Sequence, residues 1–156
     1  MIQWQWARFD QLGNEELYEV FSARQAVFVV EQNCPYQDAD GQDQSAYHLL
    51  GWSEANADCR HLAAYLRVIP PASSDKAVAI GRILTTEAFR GNGSGRQLLR
   101  QGLEKARATF PGHDLYMSAQ AHLQAFYQTF GFQPEGEVYD EDGIPHIAMY
   151  DRSGRC

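Results

Sequence analysis

The stretch Arg90-Gly91-Asn92-Gly93-Ser94-Gly95 joins a predicted β-strand to a predicted α-helix. The strand is the apolar, partly β-branched run over residues 77–85, and the helix covers residues 95–110 with apolar side chains on one face. Such a turn brings unpaired backbone N–H groups together with the positive end of a helix dipole. The stretch therefore predicts a binding site for an anionic group such as a phosphate.

The spacing of the three glycines narrows the choice of anion. It differs from the G-x-G-x-x-G turn of dinucleotide-binding proteins, and no Gly-Lys-Ser/Thr is present for a nucleoside triphosphate. Six basic and two acidic residues lie between Arg82 and Arg107, in a chain whose net charge is −7, which favours a local anionic ligand. A solvated helix face after an ordinary glycine-rich turn would look similar, so the loop alone leaves both interpretations open.

Length and composition indicate one globular domain over residues 1–156. Hydrophobic residues make up 44% of the chain, which separates it from disordered sequences. The acidic balance argues against general nucleic-acid binding, and no apolar run approaches the length of a membrane span. Cys59 and His61 lack a second pair of zinc ligands, so we expect no metal. With an odd number of cysteines and no secretory signal, we expect a cytoplasmic protein.

The remaining pattern predicts further strands and helices. A first helix begins with Asn14 as its N-cap, and an irregular segment over residues 31–43 follows it. The aspartates of this segment, at positions 38, 40 and 43, would either attract a cationic amine or form a solvated acidic loop. The other predicted elements are a hairpin over 47–53 and 61–69 with a turn at 54–58, a strand over 114–120, a helix over 122–130 capped by Gly131 with Phe132 folding back, and a final hairpin turning at 141–143.

Several segments resemble those of a known superfamily. Residues 90–95 resemble the Q/R-x-x-G-x-G/A motif of the GNAT acetyltransferases, in which this loop binds the CoA pyrophosphate. Residues 126–132, Phe-Tyr-Gln-Thr-Phe-Gly-Phe, resemble the F/L-Y-x-x-x-G-F segment of the same superfamily. Residues 27–38, 119–124 and 141–146 are similar to its ElaA subfamily. The resemblance implies an α+β GNAT fold, with a twisted, mostly antiparallel sheet that is splayed in the middle and flanked by helices.

The resemblance also implies a donor substrate, which we expect to be acetyl-CoA. The pantetheine would lie against Ile83, Leu84 and Thr85, and the pyrophosphate against Arg90, Gly91, Asn92, Gly93, Ser94, Gly95 and Arg96. Gln120 stands where the superfamily often has an asparagine that touches CoA, and Glu87 stands where many members have proline. The implied reaction is N-acetyl transfer to a primary amine of a small molecule or peptide, by direct attack in a ternary complex.

Acyl transfer to an amine needs a neutral amine, stabilisation of the oxyanion and a proton for the departing thiolate. The resemblance gives Tyr127 the last role, although an aromatic helix face would also account for it. A backbone N–H near Leu84 would face the oxyanion. Glu31, expected in the cleft with a raised pKa, is the first candidate for the general base. His122 and His146 are further titratable candidates, and all three also fit structural roles.

Two other functions stay open. Residues 24–28 also resemble the first helix of acyl-homoserine-lactone synthases, whose later acidic pattern is missing here. A non-catalytic acyl-CoA sensor would keep the glycine loop without turnover. The identity of the acceptor and the oligomeric state, including a homodimer, cannot be inferred from these motifs.

Overall fold

The computed structural model describes residues 1–56 and 59–155, which form a seven-stranded sheet with helices on both faces. The strand order is β1-β2-β3-β4-β5-β7-β6, and neighbouring strands are antiparallel except β4 and β5, which are parallel. The predicted mostly antiparallel sheet is therefore confirmed. The strands are β1 Ile2–Arg8, β2 Tyr47–Asn56, β3 Cys59–Ile69, β4 Val78–Thr85, β5 Leu115–Gln120, β6 Gln133–Glu141 and β7 Ile144–Asp151.

The α-helices of the described residues are α1 Asn14–Arg24, α2 Ser94–Thr109 and α3 Gln124–Gln128. None of them is long and apolar enough to cross a membrane. The predicted N-cap of α1 is wrong by one residue, because Gly13 is the N-cap and its N–H donates to Glu16 Oε1 at 2.9 Å. After α1 the chain continues as a π-helical segment, Gln25–Glu31.

The end of α3 follows the predicted capping geometry. Gly131 has a φ of 97°, a left-handed conformation that favours glycine. The N–H of Phe132 then donates to the Tyr127 carbonyl at 3.4 Å, and the Phe132 ring is buried in the core. The helix is shorter than predicted, because residues Ala121–Leu123 form a 3₁₀ turn before it.

Two hydrophobic clusters lie on opposite faces of the sheet. The larger one packs α2 against both halves of the sheet and includes Leu66, Leu99, Met117 and Met149. The smaller one packs α1 and the π-helical segment against β2, β3 and β4, and includes Val20 and Tyr65. Because α2 contacts strands on both sides of the β4–β5 junction, it holds the two halves of the sheet together.

Both predicted hairpins form. β2 extends to Asn56 and β3 begins at Cys59, so the strands are longer than predicted. Residues 57 and 58 of the predicted turn lie outside the described residues. In the β6–β7 hairpin, Asp142 and Gly143 both have positive φ, at 53° and 82°, which is typical of a tight two-residue type I′ turn.

Candidate active site at the opening of the sheet

β4 and β5 are paired only near their first residues. The pairs of this parallel ladder are Val78 with Leu115 and Ala79 with Tyr116, within the part of the chain that the structure describes. Both strands continue for several residues beyond these pairs. Their unpaired continuations form the two edges of an opening in the middle of the sheet, which confirms the predicted splay.

A bulge in β4 lies where the opening begins. The ladder with β3 shifts register between the pairs Arg67–Gly81 and Tyr65–Leu84, so β4 contains one extra residue there. Arg82, within the bulge, has a φ of 51°, in the left-handed region that residues with a Cβ rarely adopt. A bulge bends the strand that contains it, and here it turns β4 away from β5. The sequence offered no signal for this bulge, because the residue with positive φ is not a glycine.

The hydrogen bonds of β4 show which of its backbone groups face the opening. Thr86 donates its N–H to the Ala63 carbonyl of β3 at 2.9 Å. Since alternate residues of a regular antiparallel ladder bond to the same neighbour, Leu84 after the bulge also faces β3, whereas Thr85 faces away from it. The N–H of Thr85 therefore faces the opening, and a contact between an oxyanion and an N–H near Leu84 stays a prediction.

The glycine loop has the backbone geometry of an anion cradle. Gly91 and Gly93 have φ values of 81° and 84°, and Gly93 is the N-cap of α2 without a side-chain cap. The first intrahelical bond runs from Gln97 N–H to the Gly93 carbonyl, so the N–H groups of the first turn have no partner within the helix. The N–H of Ser94 is met by the Asn92 side chain at 3.2 Å, which leaves those of Gly95 and Arg96 for a ligand.

Glu31 does not have the predicted environment. Its carboxylate accepts two hydrogen bonds from the Arg90 guanidinium, at 2.7 and 2.8 Å, and both side chains are partly exposed. The Arg90 hydrogen bond lowers the pKa of Glu31 below its usual value. The expectation of a buried glutamate with a raised pKa is therefore wrong. Glu31 instead links the π-helical segment to the glycine loop.

Half of the basic residues in the segment between Arg82 and Arg107 form ion pairs within the protein. Arg82 pairs with Asp38 at 2.8 Å, and Arg107 pairs with Asp151. Three of the six basic residues, including Arg90, therefore already have carboxylate partners, which lowers the positive charge that the segment offers to a ligand. Arg96 remains at the start of α2, with its guanidinium carbon 5.4 Å from the ring centres of two phenylalanines near α3.

Tyr127 lies in the core cluster on the α2 side of the opening, together with Ala119 of β5. Burial raises the pKa of Tyr127 to about 12, so its hydroxyl is protonated at neutral pH. No hydrogen bond of this hydroxyl occurs among residues 1–56 and 59–155. Gln120 ends β5 and is half-buried, and His122 is exposed in the adjoining 3₁₀ turn. Their roles toward CoA and catalysis stay predictions.

The acidic loop after the π-helical segment is neither solvated nor free for an amine. Arg24 is completely buried and binds Asp38 at 2.8 Å and Asp43 at 2.6 Å. Arg67 binds Asp43 at 3.0 Å and Asp40 at 2.8 Å. Together with the Arg82 pair, these contacts form a network that attaches the loop to α1, β3 and β4. Both interpretations of the three aspartates are therefore wrong.

Burial and ion pairing have opposite effects on the pKa of Asp40 in this network. Burial alone would raise the pKa of Asp40, but the hydrogen bonds from Arg67 and the Gln42 N–H, together with the charges of Arg67 and Arg82, outweigh it and lower the pKa to about 2. His48 lies beneath the loop, with Nε2 at 2.9 Å from the Asp43 carbonyl and Nδ1 at 2.7 Å from the Tyr65 hydroxyl. Because a carbonyl only accepts, Nε2 carries the proton, and burial lowers the pKa of His48.

Comparison with known proteins agrees with this geometry. Residues 61–151 match the family model of the acetyltransferase (GNAT) domain. The chain belongs to the GNAT acetyltransferase family. ElaA of Escherichia coli strain K12 is 47% identical over 151 residues, which cover 96% of this chain and 95% of that protein. A UPF0039 protein of Synechocystis is 43% identical over 148 residues, which cover 95% and 94% of the two chains.

Solved structures of GNAT relatives superimpose on nearly the whole chain. The crystal structure of Escherichia coli ElaA has a TM-score of 0.88 at 46% identity and covers 96% of this chain and 99% of its own. An acyl-CoA N-acyltransferase from Pseudomonas aeruginosa has a TM-score of 0.89 at 41% identity, with the same coverage. The GNAT fold and the similarity to ElaA are therefore confirmed, and the family supports acyl transfer from acyl-CoA in general.

Proposed function

We propose that the protein transfers an acetyl group from acetyl-CoA to a primary amine within a ternary complex. The observation that carries this proposal is the position of the glycine loop. The loop begins α2 with N–H groups that have no partner within the helix, and it follows the strand that forms one edge of the opening. With the phosphates bound at the loop, the pantetheine would extend along β4 toward Ile83 and Thr85.

The loop leaves room for phosphate oxygens close to its backbone. Among the described residues, a Cβ placed on Gly91, Gly93 or Gly95 would meet no heavy atom within 4 Å beyond its chain neighbours and the helix's own backbone. The open space and the free N–H groups of the first helical turn suit the CoA pyrophosphate. Arg96 would supply a positive charge there, whereas Arg90 shares its charge with Glu31.

The reaction would proceed by direct attack. The neutral amine nitrogen forms a bond to the thioester carbonyl carbon, the carbon–sulfur bond breaks, and its electron pair leaves with sulfur. The nitrogen then loses one proton, which the departing thiolate or solvent takes up. A backbone N–H near Leu84, such as that of Thr85, would donate to the oxyanion. Tyr127 would donate a hydrogen bond to the departing sulfur. Full proton transfer from the Tyr127 phenol, with a pKa of about 12, to the thiolate is unfavourable, because the resulting thiol has a pKa of about 8.5.

The test uses two substitutions at Gly95. Its φ is not in the left-handed region and its Cβ direction is open, so both Gly95→Glu and Gly95→Gln should fold. The two variants add side chains of similar size, but only glutamate places a negative charge beside the phosphates. We expect calorimetry to show CoA binding at least about tenfold weaker for Gly95→Glu than for Gly95→Gln. Equal affinities for the parent and both variants would contradict the proposed site.

A thiol-release assay tests the proposed donor. We expect turnover with acetyl-CoA to exceed turnover with long-chain acyl-CoA donors in the presence of primary amines. The opposite preference would favour an activity like that of the acyl-homoserine-lactone synthases. CoA binding without thiol release over a broad amine panel would favour a sensor.

A further inference from the structure

A cluster of polar side chains lies on the sheet face opposite Tyr127. Burial alternates along β5, and Met117 and Ala119 pack toward α2, so Ser118 between them points to the other face. Ser118 is two residues beyond Tyr116, the last residue of β5 that pairs with β4. It therefore lies beside the opening, on the face where α1 packs.

Ser118 is the first member of a hydrogen-bonded chain. Its hydroxyl contacts the Tyr139 hydroxyl and donates to Glu141 Oε1 at 3.3 Å. The second carboxylate oxygen of Glu141 lies 3.2 Å from His146 Nε2. We name Ser118, Tyr139, Glu141 and His146 the β6–β7 cluster. Three strands contribute to it, so the sheet fixes its geometry.

The partners of His146 fix the orientation of Glu141. The Nδ1 atom lies 2.7 Å from the Ile144 carbonyl, and since a carbonyl only accepts, Nδ1 carries a proton. Nε2 therefore donates to Glu141 only when the ring is doubly protonated, whereas Ser118 donates to Glu141 in either state. The side chain of His146 is only 9% exposed and its ring stacks on Tyr139, with the ring centres 6.3 Å apart. In contrast, the side chain of Glu141 is 48% exposed. The cluster thus fixes the position of the solvent-exposed Glu141 carboxylate.

The surroundings of Glu141 favour a cation. Its neighbours on the hairpin, Asp140 and Asp142, are also exposed acidic residues. The Asp142 carbonyl accepts from Cys34 Sγ at 3.2 Å, which places the loop after the π-helical segment against the same hairpin. The loop's own aspartates bind arginines, whereas Glu141 contacts Ser118 and His146 in the part of the chain that the structure describes and keeps its side chain open to solvent.

We propose that Glu141 binds the ammonium group of a cationic acceptor, and that Ser118 and His146 position its carboxylate for this contact. The inference rests on the proposed function, because a thioester that reaches through the opening from the α2 side meets its acceptor on the face of the β6–β7 cluster. The acceptor class is an alkyl diamine or a similar small molecule, in which one amine reacts and another stays charged. Tyr139 offers an aromatic ring beside the same carboxylate.

The test compares Glu141→Gln with Glu137→Gln. Glu137 is exposed on the same strand and outside the cluster, so both variants remove one negative charge from β6. The probes are 1,4-diaminobutane, a dication, and hydroxylamine, which is mostly uncharged at neutral pH. With acetyl-CoA as donor, we expect Glu141→Gln to raise KM for the diamine about tenfold or more with little change in kcat, and to leave hydroxylamine transfer unchanged. Ser118→Ala should raise the same KM by a smaller factor.

The outcomes separate the two proposals. Equal effects of the Glu141 and Glu137 variants, or equal effects of Glu141→Gln on both nucleophiles, would overturn the acceptor site alone. Failure of the parent to transfer acetyl to either nucleophile would contradict the proposed function. A kcat loss for both nucleophiles in Glu141→Gln, with KM unchanged, would also overturn the binding role.

Discussion

Arg82 allows a direct test of how the protein maintains the bulge beside its opening. Its backbone has a φ of 51°, which costs about 1–2 kcal/mol for a residue with a Cβ. Its guanidinium binds Asp38 Oδ1 at 2.8 Å and the Asp38 carbonyl at 3.2 Å. We infer that these contacts offset the backbone cost. Removing them should therefore favour a regular strand in place of the bulge.

Two substitutions separate the ion pair from the backbone cost. Arg82→Ala loses the pair and keeps the Cβ, whereas Arg82→Gly loses the pair and tolerates positive φ. Loss of the pair should cost about 1–3 kcal/mol, because Asp38 keeps its contact with Arg24 at 2.8 Å and is not left unpaired. Arg82→Ala should lower the free energy of unfolding by up to about 1 kcal/mol more than Arg82→Gly. The difference is smaller than the full backbone strain, because glycine loses more chain entropy on folding.

The assay is urea unfolding of both variants, together with CoA calorimetry. We expect the stability order parent, Arg82→Gly, Arg82→Ala, and we expect the glycine variant to bind CoA more tightly than the alanine variant. If alanine is as stable as glycine and binds CoA equally well, the left-handed conformation does not matter at this position. That result would refute the reasoning.

Four further predictions concern other parts of the molecule. Tyr127→Phe should lower kcat about 10²-fold, because a hydrogen bond to the departing sulfur is lost, and should leave CoA affinity unchanged in calorimetry. Glu31→Gln should change CoA affinity in calorimetry and leave the pH profile of kcat nearly unchanged, because Glu31 pairs with Arg90 of the glycine loop. The pKa of Asp40 is lowered to about 2, so the stabilising effect of its carboxylate is complete above about pH 4 and is lost as the pH falls toward 2. Urea unfolding midpoints should fall over this pH range in the parent and fall less in Asp40→Asn. Gly102→Ala should destabilise α2 by about 1–3 kcal/mol in thermal unfolding, because the new Cβ would lie 2.5 Å from a Leu66 methyl group.

The elements that the sequence predicted well depend on local signals. Glycine spacing identified the loop at α2, and the pair Gly131–Phe132 identified the end of α3, because both need only a few neighbouring residues. The positions of most strands along the chain followed from apolar runs and turn residues in the same way. The family resemblance supplied the splayed arrangement, which no single segment encodes.

Long-range pairing accounts for what the sequence did not predict. Arg24 and Asp43 are 19 residues apart, and Arg90 and Glu31 are 59 residues apart, so no local pattern links them. A count of charges along the sequence includes these side chains as available for ligands, whereas in the folded protein they pair with each other. The β6–β7 cluster was missed for the same reason, since register across three strands assembles it. An acidic residue at an exposed turn gives no sequence signal of its own.

The short β4–β5 ladder has a consequence for engineering. Since only the pairs Val78–Leu115 and Ala79–Tyr116 connect these strands in the described chain, the angle between the two half-sheets depends mainly on the packing of α2. Substitutions that enlarge or reduce Leu99 or Leu103 should therefore change the width of the opening between β4 and β5. Because we propose that the thioester enters through this opening, the same substitutions should change the size of acyl group that is accepted.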